Sequence, residues 1–228
     1  MDNKYGGNMK VCTICKELKE DVEFYHTPRN KNGLTSRCKK CHSEMVKQCS
    51  KNLKAFMVNG YGGKCNCCFE ENIKFLTIDH VDGGGRSHRK ELGRKRVYSI
   101  AIQNNFPEEY QILCYNCNIA RSYHGHGICP HKKIPETRYK NHNLIKIWEK
   151  VLEAYGGKCE CCSEINEFFL SIDHIDPSDK NRKLKGGIHL YRRLIRENFP
   201  NDVRLLCYNC NCARSKNYGI CPHKYIEG

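Results

Sequence analysis

The sequence predicts an α+β chain built from small cysteine-stapled modules, and three observations carry that prediction. The 228 residues hold 18 cysteines, twelve of them in C-x-x-C pairs: Cys12/Cys15, Cys38/Cys41, Cys65/Cys68, Cys114/Cys117, Cys159/Cys162 and Cys207/Cys210. A long segment is written twice. Aligning Tyr61–Lys132 with Tyr155–Lys224 matches about half of the positions, along YGGKCxCC, FLxIDHxD, NFP, LCYNCNxARS and GICPHK. Repetition at that scale marks a duplicated structural unit. Within each copy, short strand-like apolar runs alternate with stretches of helical spacing.

The elements follow in order. A helix-like stretch precedes each copy, at Glu44–Asn59 and at Asn143–Ala154, the second with Leu144, Ile147, Trp148, Val151 and Leu152 at helical spacing. Each copy then predicts an apolar strand, Phe75–Gly85 (FLTIDHVDGGG) and Phe169–Asp179 (FLSIDHIDPSD), with turn residues at Gly83–Gly85 and Pro177–Asp179. A basic stretch follows, then a short amphipathic helix (Val97–Asn105; Leu190–Asn198) stopped by Phe-Pro. The second cysteine pair comes next, and a helix beginning near Asn118 or Asn211. The polar segment Lys133–Asn141, with Pro135, links the copies. The domains expected are 1–43, 44–132 and 133–228.

Cysteine usage points to metal. The N-terminal MDNKYGGNMKVC has no apolar h-region of a secretory signal, and no stretch approaches the ~18 apolar residues of a membrane span. The expected setting is the reducing cytoplasm, where paired cysteines bind zinc in preference to forming disulfides. Cys12, Cys15, Cys38 and Cys41 form C-x2-C-x22-C-x2-C with Phe24 and Tyr25 between the pairs, the pattern of a zinc ribbon. Four thiolates close a tetrahedral Zn²⁺ site, so its role is structural. The basic loop PRNKNGLTSRCKKCH is either a phosphate contact or part of a purely structural cap.

In the copies the expected ligands are Cys65, Cys68, Cys114 and Cys117, then Cys159, Cys162, Cys207 and Cys210. That makes about three Zn²⁺ ions. Modules this small bury little apolar surface alone, and zinc supplies the missing folding energy. Left over are Cys67, Cys129 and His131, matched by Cys161, Cys221 and His223. The recurring C-P-H reads as a replacement ligand set, a second metal, or a packed thiol beside a surface histidine, and the last is the expectation. Cys49 and Cys212 stay unassigned.

Lys plus Arg number 39 against 25 Asp plus Glu, a net charge of +14. Such a balance favours polyanionic partners, nucleic acid foremost, over a membrane.

Each strand ends in Asp-His, and adjacent strand residues face opposite ways, so a bend is needed for both to serve one site. An asparagine directly follows the last paired cysteine in each copy. A hairpin, a cysteine knuckle and a helix converging on an acid, a histidine and an asparagine resemble the HNH, or ββα-metal (His-Me finger), endonuclease superfamily. The likeness is to its phage-type members and to recombination endonuclease VII, here duplicated in one chain. It covers Tyr61 to about Ser122 and Tyr155 to about Ser215. The opening C-x2-C, Phe-Tyr, C-x2-C is similar, more loosely, to the N-terminal zinc unit of some HNH restriction enzymes.

The resemblance implies a zinc ribbon followed by two tandem ββα-metal, treble-clef-like repeats. It implies hydrolysis of DNA phosphodiesters, in duplex or branched DNA, by a virus-type enzyme. Asp79 and Asn118, then Asp173 and Asn211, would hold Mg²⁺ or Mn²⁺, with His80 and His174 as general bases. A hard oxygen site with open positions suits those ions, and neutral imidazole suits proton abstraction from water. Arg121 and Arg214, three residues beyond the asparagines, share their face and could hold phosphate. Arg89, with His88, is either a further phosphate contact or a solvated loop. Asparagine as a mere helix cap is the alternative to its ligand role. The middle asparagine of many HNH sequences is replaced by Glu109 or Asp202, with Asn105 and Asn198 too displaced to substitute, so the group orienting each histidine is open; a backbone carbonyl could do it.

The expected function is a metal-dependent endonuclease, acting as a monomeric pseudo-dimer or a homodimer. The alternatives are a non-catalytic zinc-stapled DNA- or RNA-binding protein, or a structural protein on a nuclease scaffold. From the charge comes one prediction: DNA binding weakens by roughly one unit of log–log slope per neutralised phosphate as salt rises. A flat response in a salt titration would show that the basic surface serves solubility alone.

Overall fold

The computed structural model describes residues 8–92, 96–123, 127–136, 138–139, 141–176, 187–217 and 219–225, the side chains of Arg86, Arg89, Leu92, Arg96 and Tyr225 excepted. The expected turn at Pro177–Asp179 and the Arg89 side chain lie outside those residues. The chain is mixed α and β, its strands paired two by two into four small antiparallel sheets. It divides into two compact units, Met1–Phe56 and Met57–Gly228.

In the first unit, β1 (Met9–Val11) pairs with β2 (Leu18–Glu20). The turn between them carries Cys12 and Cys15, closed by Cys12 N–H donating to Glu17 O at 3.0 Å and Lys16 N–H to Cys12 O at 3.0 Å. β3 (Phe24–His26) pairs with β4 (Leu34–Cys38), and α1 (Lys39–Gly60) starts at the next residue with Cys41 in its first turn. The second cysteine pair is therefore a strand–helix junction, where a ribbon would have a second hairpin turn. Phe24 and Leu34 pack with Cys12, Cys38 and Cys41 into a core too small to hold by burial alone.

The second unit holds both copies of the repeated segment. β5 (Leu76–His80) pairs with β6 (Tyr110–Cys114), Leu76 opposite Cys114 and His80 opposite Tyr110. Between them run α2 (Gly85–Leu92) and α3 (Arg96–Gln103). α4 (Tyr115–Tyr123) continues directly from β6. α5 (His142–Ala154) follows the linker, capped by the Asn141 side chain accepting from Asn143 N–H. β7 (Leu170–His174) and β8 (Val203–Cys207) then repeat the same register, with α6 (Ile188–Arg196) between them and α7 (Tyr208–Lys216) after. The helices fall within a few residues of their sequence positions. α2 is an addition, formed within the basic stretch to which the sequence assigns no element.

Two details explain repeated words of the sequence. In each NFP, the Asn and Phe both adopt left-handed backbone, φ 54° and 59° at Asn105 and Phe106 and 52° and 56° at Asn198 and Phe199. The copy's first tyrosine latches this turn: Tyr61 hydroxyl donates to Pro107 O at 3.0 Å, and Tyr155 hydroxyl to Pro200 O at 2.9 Å. The linker also hides a structural residue. Arg138 is buried, stacks 4.3 Å over Trp148 and donates to Leu170 O at 2.8 Å, at the start of β7.

The copies share one apolar core, in which Phe75, Leu76 and Ile112 join Trp148, Phe169 and Leu205. At their joint the contacts are reciprocal. Asn116 N–H donates to Asn209 Oδ1 at 2.9 Å and Asn209 N–H to Asn116 Oδ1 at 2.8 Å, both residues buried. Each copy thus fills the other's unpaired helix-start donor, as a local two-fold relation requires. Replacing Asn116 by Ala, or Asn209 by Ala, strands one buried N–H and should cost about 1–3 kcal/mol in denaturant unfolding. A loss within measurement error for both would show the joint is held by apolar packing alone.

Candidate functional site

The three expected four-cysteine sets come together. In each of Cys12/Cys15/Cys38/Cys41, Cys65/Cys68/Cys114/Cys117 and Cys159/Cys162/Cys207/Cys210, the four sulfurs lie within 4.8 Å of one another. Cys68 and Cys114 sulfurs are 3.6 Å apart and those of Cys162 and Cys207 3.7 Å, close to the ~3.8 Å edge of a tetrahedron with Zn–S bonds of about 2.3 Å. Donor type and spacing fit zinc. Four of the six remaining cysteines and the two C-P-H histidines gather beside these sets: Cys67, Cys129 and His131 around Cys117, and Cys161, Cys221 and His223 around Cys210. His131 is exposed as expected of a surface residue, but its Nδ1 faces sulfur.

The cysteine junction sets the geometry of the rest. Cys207 is the N-cap of α7, its sulfur accepting from Cys210 N–H, and in the first copy Cys117 N–H donates to Cys114 sulfur at 3.4 Å. Because cysteine takes the capping place, Asn118 and Asn211 stand one turn inside their helices and are not caps. Asn211 Nδ2 donates to the Ser171 hydroxyl on β7 at 3.1 Å, so its amide lies against the strand two residues from Asp173.

One turn on, the arginine meets the aspartate. Arg121 Nη1 pairs with Asp79 Oδ2 at 2.8 Å and its Nη2 donates to Val81 O at 2.8 Å. Arg214 repeats this with Asp173 Oδ2 at 2.7 Å and Ile175 O at 3.2 Å. The cross-strand residue adds a second donor to the same oxygen: Gln111 Nε2 at 3.3 Å in the first copy, Arg204 Nε at 3.2 Å in the second. These cross-strand partners escaped the sequence reading; only the register, Asp79 opposite Gln111 and Asp173 opposite Arg204, reveals them. Burial pushes the Asp79 carboxyl above its ordinary range, against the pull of Arg121 and the Gln111 hydrogen bond. A half-buried carboxylate already holding a cation in each copy is a place where a further hard cation could bind by sharing oxygens.

The histidines lie differently. Strand pairing continues unbroken to His80↔Tyr110 and His174↔Val203, so no bend turns Asp and His to one face. His80 packs edge-on against Tyr110, ring centroids 4.8 Å apart, and its Nε2 lies 2.7 Å from Nδ1 of His88 on α2. One group contacting the His80 ring is thus the histidine that reads from the sequence equally as phosphate contact or solvated loop. α2 can come so near because residue 85 is glycine: a Cβ there would sit 2.7 Å from His80 Nδ1. In the second copy Nε2 of His174 is buried with no hydrogen-bond partner among the described residues. The replacement residue Asp202 pairs with Arg193 at 2.9 Å, while the backbone carbonyls of Glu109 and Asp202 accept from Val81 and Ile175, the residues after each histidine.

Basic side chains gather in two grooves. One, in the first unit, is lined by Arg29, Arg37 and His42 of the basic loop. The other lies between α5 and α6, with Lys146, Lys150, Arg192 and Arg196 around Ile147 and Ile195. No helix among the described residues is long and apolar enough to cross a membrane.

Among proteins of known name, the chain is similar to "SPbeta prophage-derived putative HNH endonuclease YoqL" of Bacillus subtilis (strain 168), 22% identical over 156 residues. The match takes in 67% of this chain and 54% of the relative, so the chain spans about half of that protein's length. No family model matches the chain, and no solved structure does.

Proposed function

We propose that the chain is a metal-dependent DNA endonuclease of HNH type, made of an N-terminal zinc module (1–43) and two ββα-metal repeats (44–132 and 133–228). The observation that carries this reading is the recurrence, in both copies, of one arrangement: a strand ending in Asp-His, paired to a strand ending in cysteine, with the following helix setting its arginine on the aspartate. The similarity to a prophage protein named an HNH endonuclease supports the same reading, as does the +14 charge with its lysine- and arginine-lined groove.

In this reading Asp79 with Asn118, and Asp173 with Asn211, hold Mg²⁺ or Mn²⁺, oxygen donors that suit such ions. The ion supplies charge neutralisation at the phosphate and leaving oxygen. His80 and His174 take the proton of the attacking water as neutral imidazoles. His88 positions the His80 ring through the 2.7 Å nitrogen–nitrogen contact. Arg121 and Arg214 hold the aspartates in place and, with Arg89, meet the DNA backbone. One such site cuts one strand, and the reciprocal Asn116–Asn209 bonds support a pseudo-dimer in which one chain carries both sites.

A second reading has its own observation. The Arg121–Asp79 and Arg214–Asp173 ion pairs give each aspartate a cationic partner from the protein itself, a structural role that also suits a protein that grips nucleic acid and does not cut it. Nicking of circular duplex DNA separates the two. The nuclease reading expects cutting that needs Mg²⁺ or Mn²⁺, and a wild-type chain that binds DNA but never nicks it contradicts that reading. Under the pseudo-dimer, His80→Ala and His174→Ala each leave a strand-nicking enzyme, with opposite strand preference on an asymmetric duplex. The double variant should lose roughly 10²–10⁴-fold of the cutting rate yet keep its zinc and its DNA affinity. One dead single variant beside one that still breaks both strands would mean that one copy cuts and the other grips.

A further inference from the structure

Six of the eighteen cysteines lie outside the three four-cysteine sets, and the structure gathers four of them with the two C-P-H histidines. Cys67, Cys129 and His131 surround Cys117, and Cys161, Cys221 and His223 surround Cys210, while Cys49 and Cys212 stand apart from every such group. In each of these groups the four ligand atoms again lie within 4.8 Å of one another. The two copies agree closely: Cys117 sulfur to His131 Nδ1 and Cys210 sulfur to His223 Nδ1 are both 3.3 Å. Cys129 sulfur to His131 Nδ1 and Cys221 sulfur to His223 Nδ1 are both 3.5 Å. Zn–S near 2.3 Å and Zn–N near 2.0–2.1 Å at a tetrahedral angle place sulfur and nitrogen about 3.5 Å apart. A lone thiol–imidazole hydrogen bond would not bring two further sulfurs to the same point.

We propose that each copy of the repeat holds two zinc ions joined by one sulfur, Cys117 in the first and Cys210 in the second. The inner ion has Cys65, Cys68, Cys114 and Cys117, or Cys159, Cys162, Cys207 and Cys210. The outer ion has the bridging cysteine with Cys67, Cys129 and His131, or with Cys161, Cys221 and His223. The adjacent cysteines of YGGKCxCC serve one ion each, which explains why the sequence writes C-x-C-C in both copies. A thiolate has lone pairs for two metals, and bridging it satisfies a buried sulfur twice. Soft thiolates and an imidazole make zinc the fitting ion.

The outer ions have a place in the architecture. His131 packs on Phe169 with ring centroids 4.6 Å apart, and His223 packs on Phe75 at 4.7 Å. Each C-P-H histidine thus rests on the other copy, on the phenylalanine just before the strand that ends in Asp-His. By fixing its histidine, each outer ion fixes the joint between copies. This inference does not depend on whether the chain cuts DNA.

Metal analysis of the full-length reduced chain, loaded with zinc and dialysed into metal-free buffer, should find five ions per chain, against three without the outer sites. Exchange of zinc for NMR-active cadmium then tests the bridge. Four of the five cadmium resonances should be split, in two mutually coupled pairs, because two metals on one sulfur couple through it. The fifth, from Cys12, Cys15, Cys38 and Cys41, should be unsplit. A count below five, or five resonances without mutual splitting, overturns the proposal.

Discussion

Three times in this chain, four cysteine sulfurs meet where a strand passes directly into a helix, and the remaining geometry is measured from those points. β4 ends at Cys38, β6 at Cys114 and β8 at Cys207, and in each case the next helix begins at the following residue and brings a second cysteine in its first turn. The first unit's core is a handful of residues, and a hairpin of two short strands is marginal by itself. A tetrahedral ion held by four thiolates would supply on the order of 10 kcal/mol or more of folding energy. The junction also sets the helix azimuth, because the cap is the cysteine itself. From that azimuth follows the placement of Asn211 on Ser171 and of Arg121 and Arg214 on the aspartates.

The second constraint is reciprocity. Neither copy could bury its apolar face alone, and the pair does so around one common core. Two kinds of contact at the joint occur in matched pairs, asparagine side chain to backbone N–H and histidine ring to phenylalanine ring. A duplicated segment that pairs with itself in this manner keeps both copies under the same structural demands. The copies diverge where that demand is absent: His80 has Tyr110 and His88 around it, whereas His174 faces Val203 on the partner strand.

Much of this is legible in the sequence. The cysteine pairs announced the three four-sulfur clusters, the apolar run before Asp-His announced β5 and β7, and helical spacing announced α5 and its buried Trp148 and Val151. What stayed hidden shares a physical cause: it depends on partners distant in the chain that leave no local periodicity. Gln111 and Arg204 matter only through strand register. Arg138 reads as one more charge in a polar linker until Trp148 and the Leu170 carbonyl are placed beside it. α2 was missed because GRSHRKEL carries almost no apolar face, so nothing in it announces a helix, and with α2 went the His80–His88 contact. Spacing alone likewise could not place Cys129 and His131 beside Cys117, or Cys221 and His223 beside Cys210.

The central claim is that the cysteine–metal junctions hold the hairpins and their helices in register. Hydrogen exchange on the reduced chain, stripped of metal by chelation and then titrated with zinc, tests it most directly. Amide protection in Leu76–His80, Tyr110–Cys114 and Tyr115–Tyr123, and in the matching segments of the second copy, should be lost with the metal and return together as zinc is restored. A reduced, metal-free chain that keeps the protection of the zinc-loaded one in those segments would contradict the account.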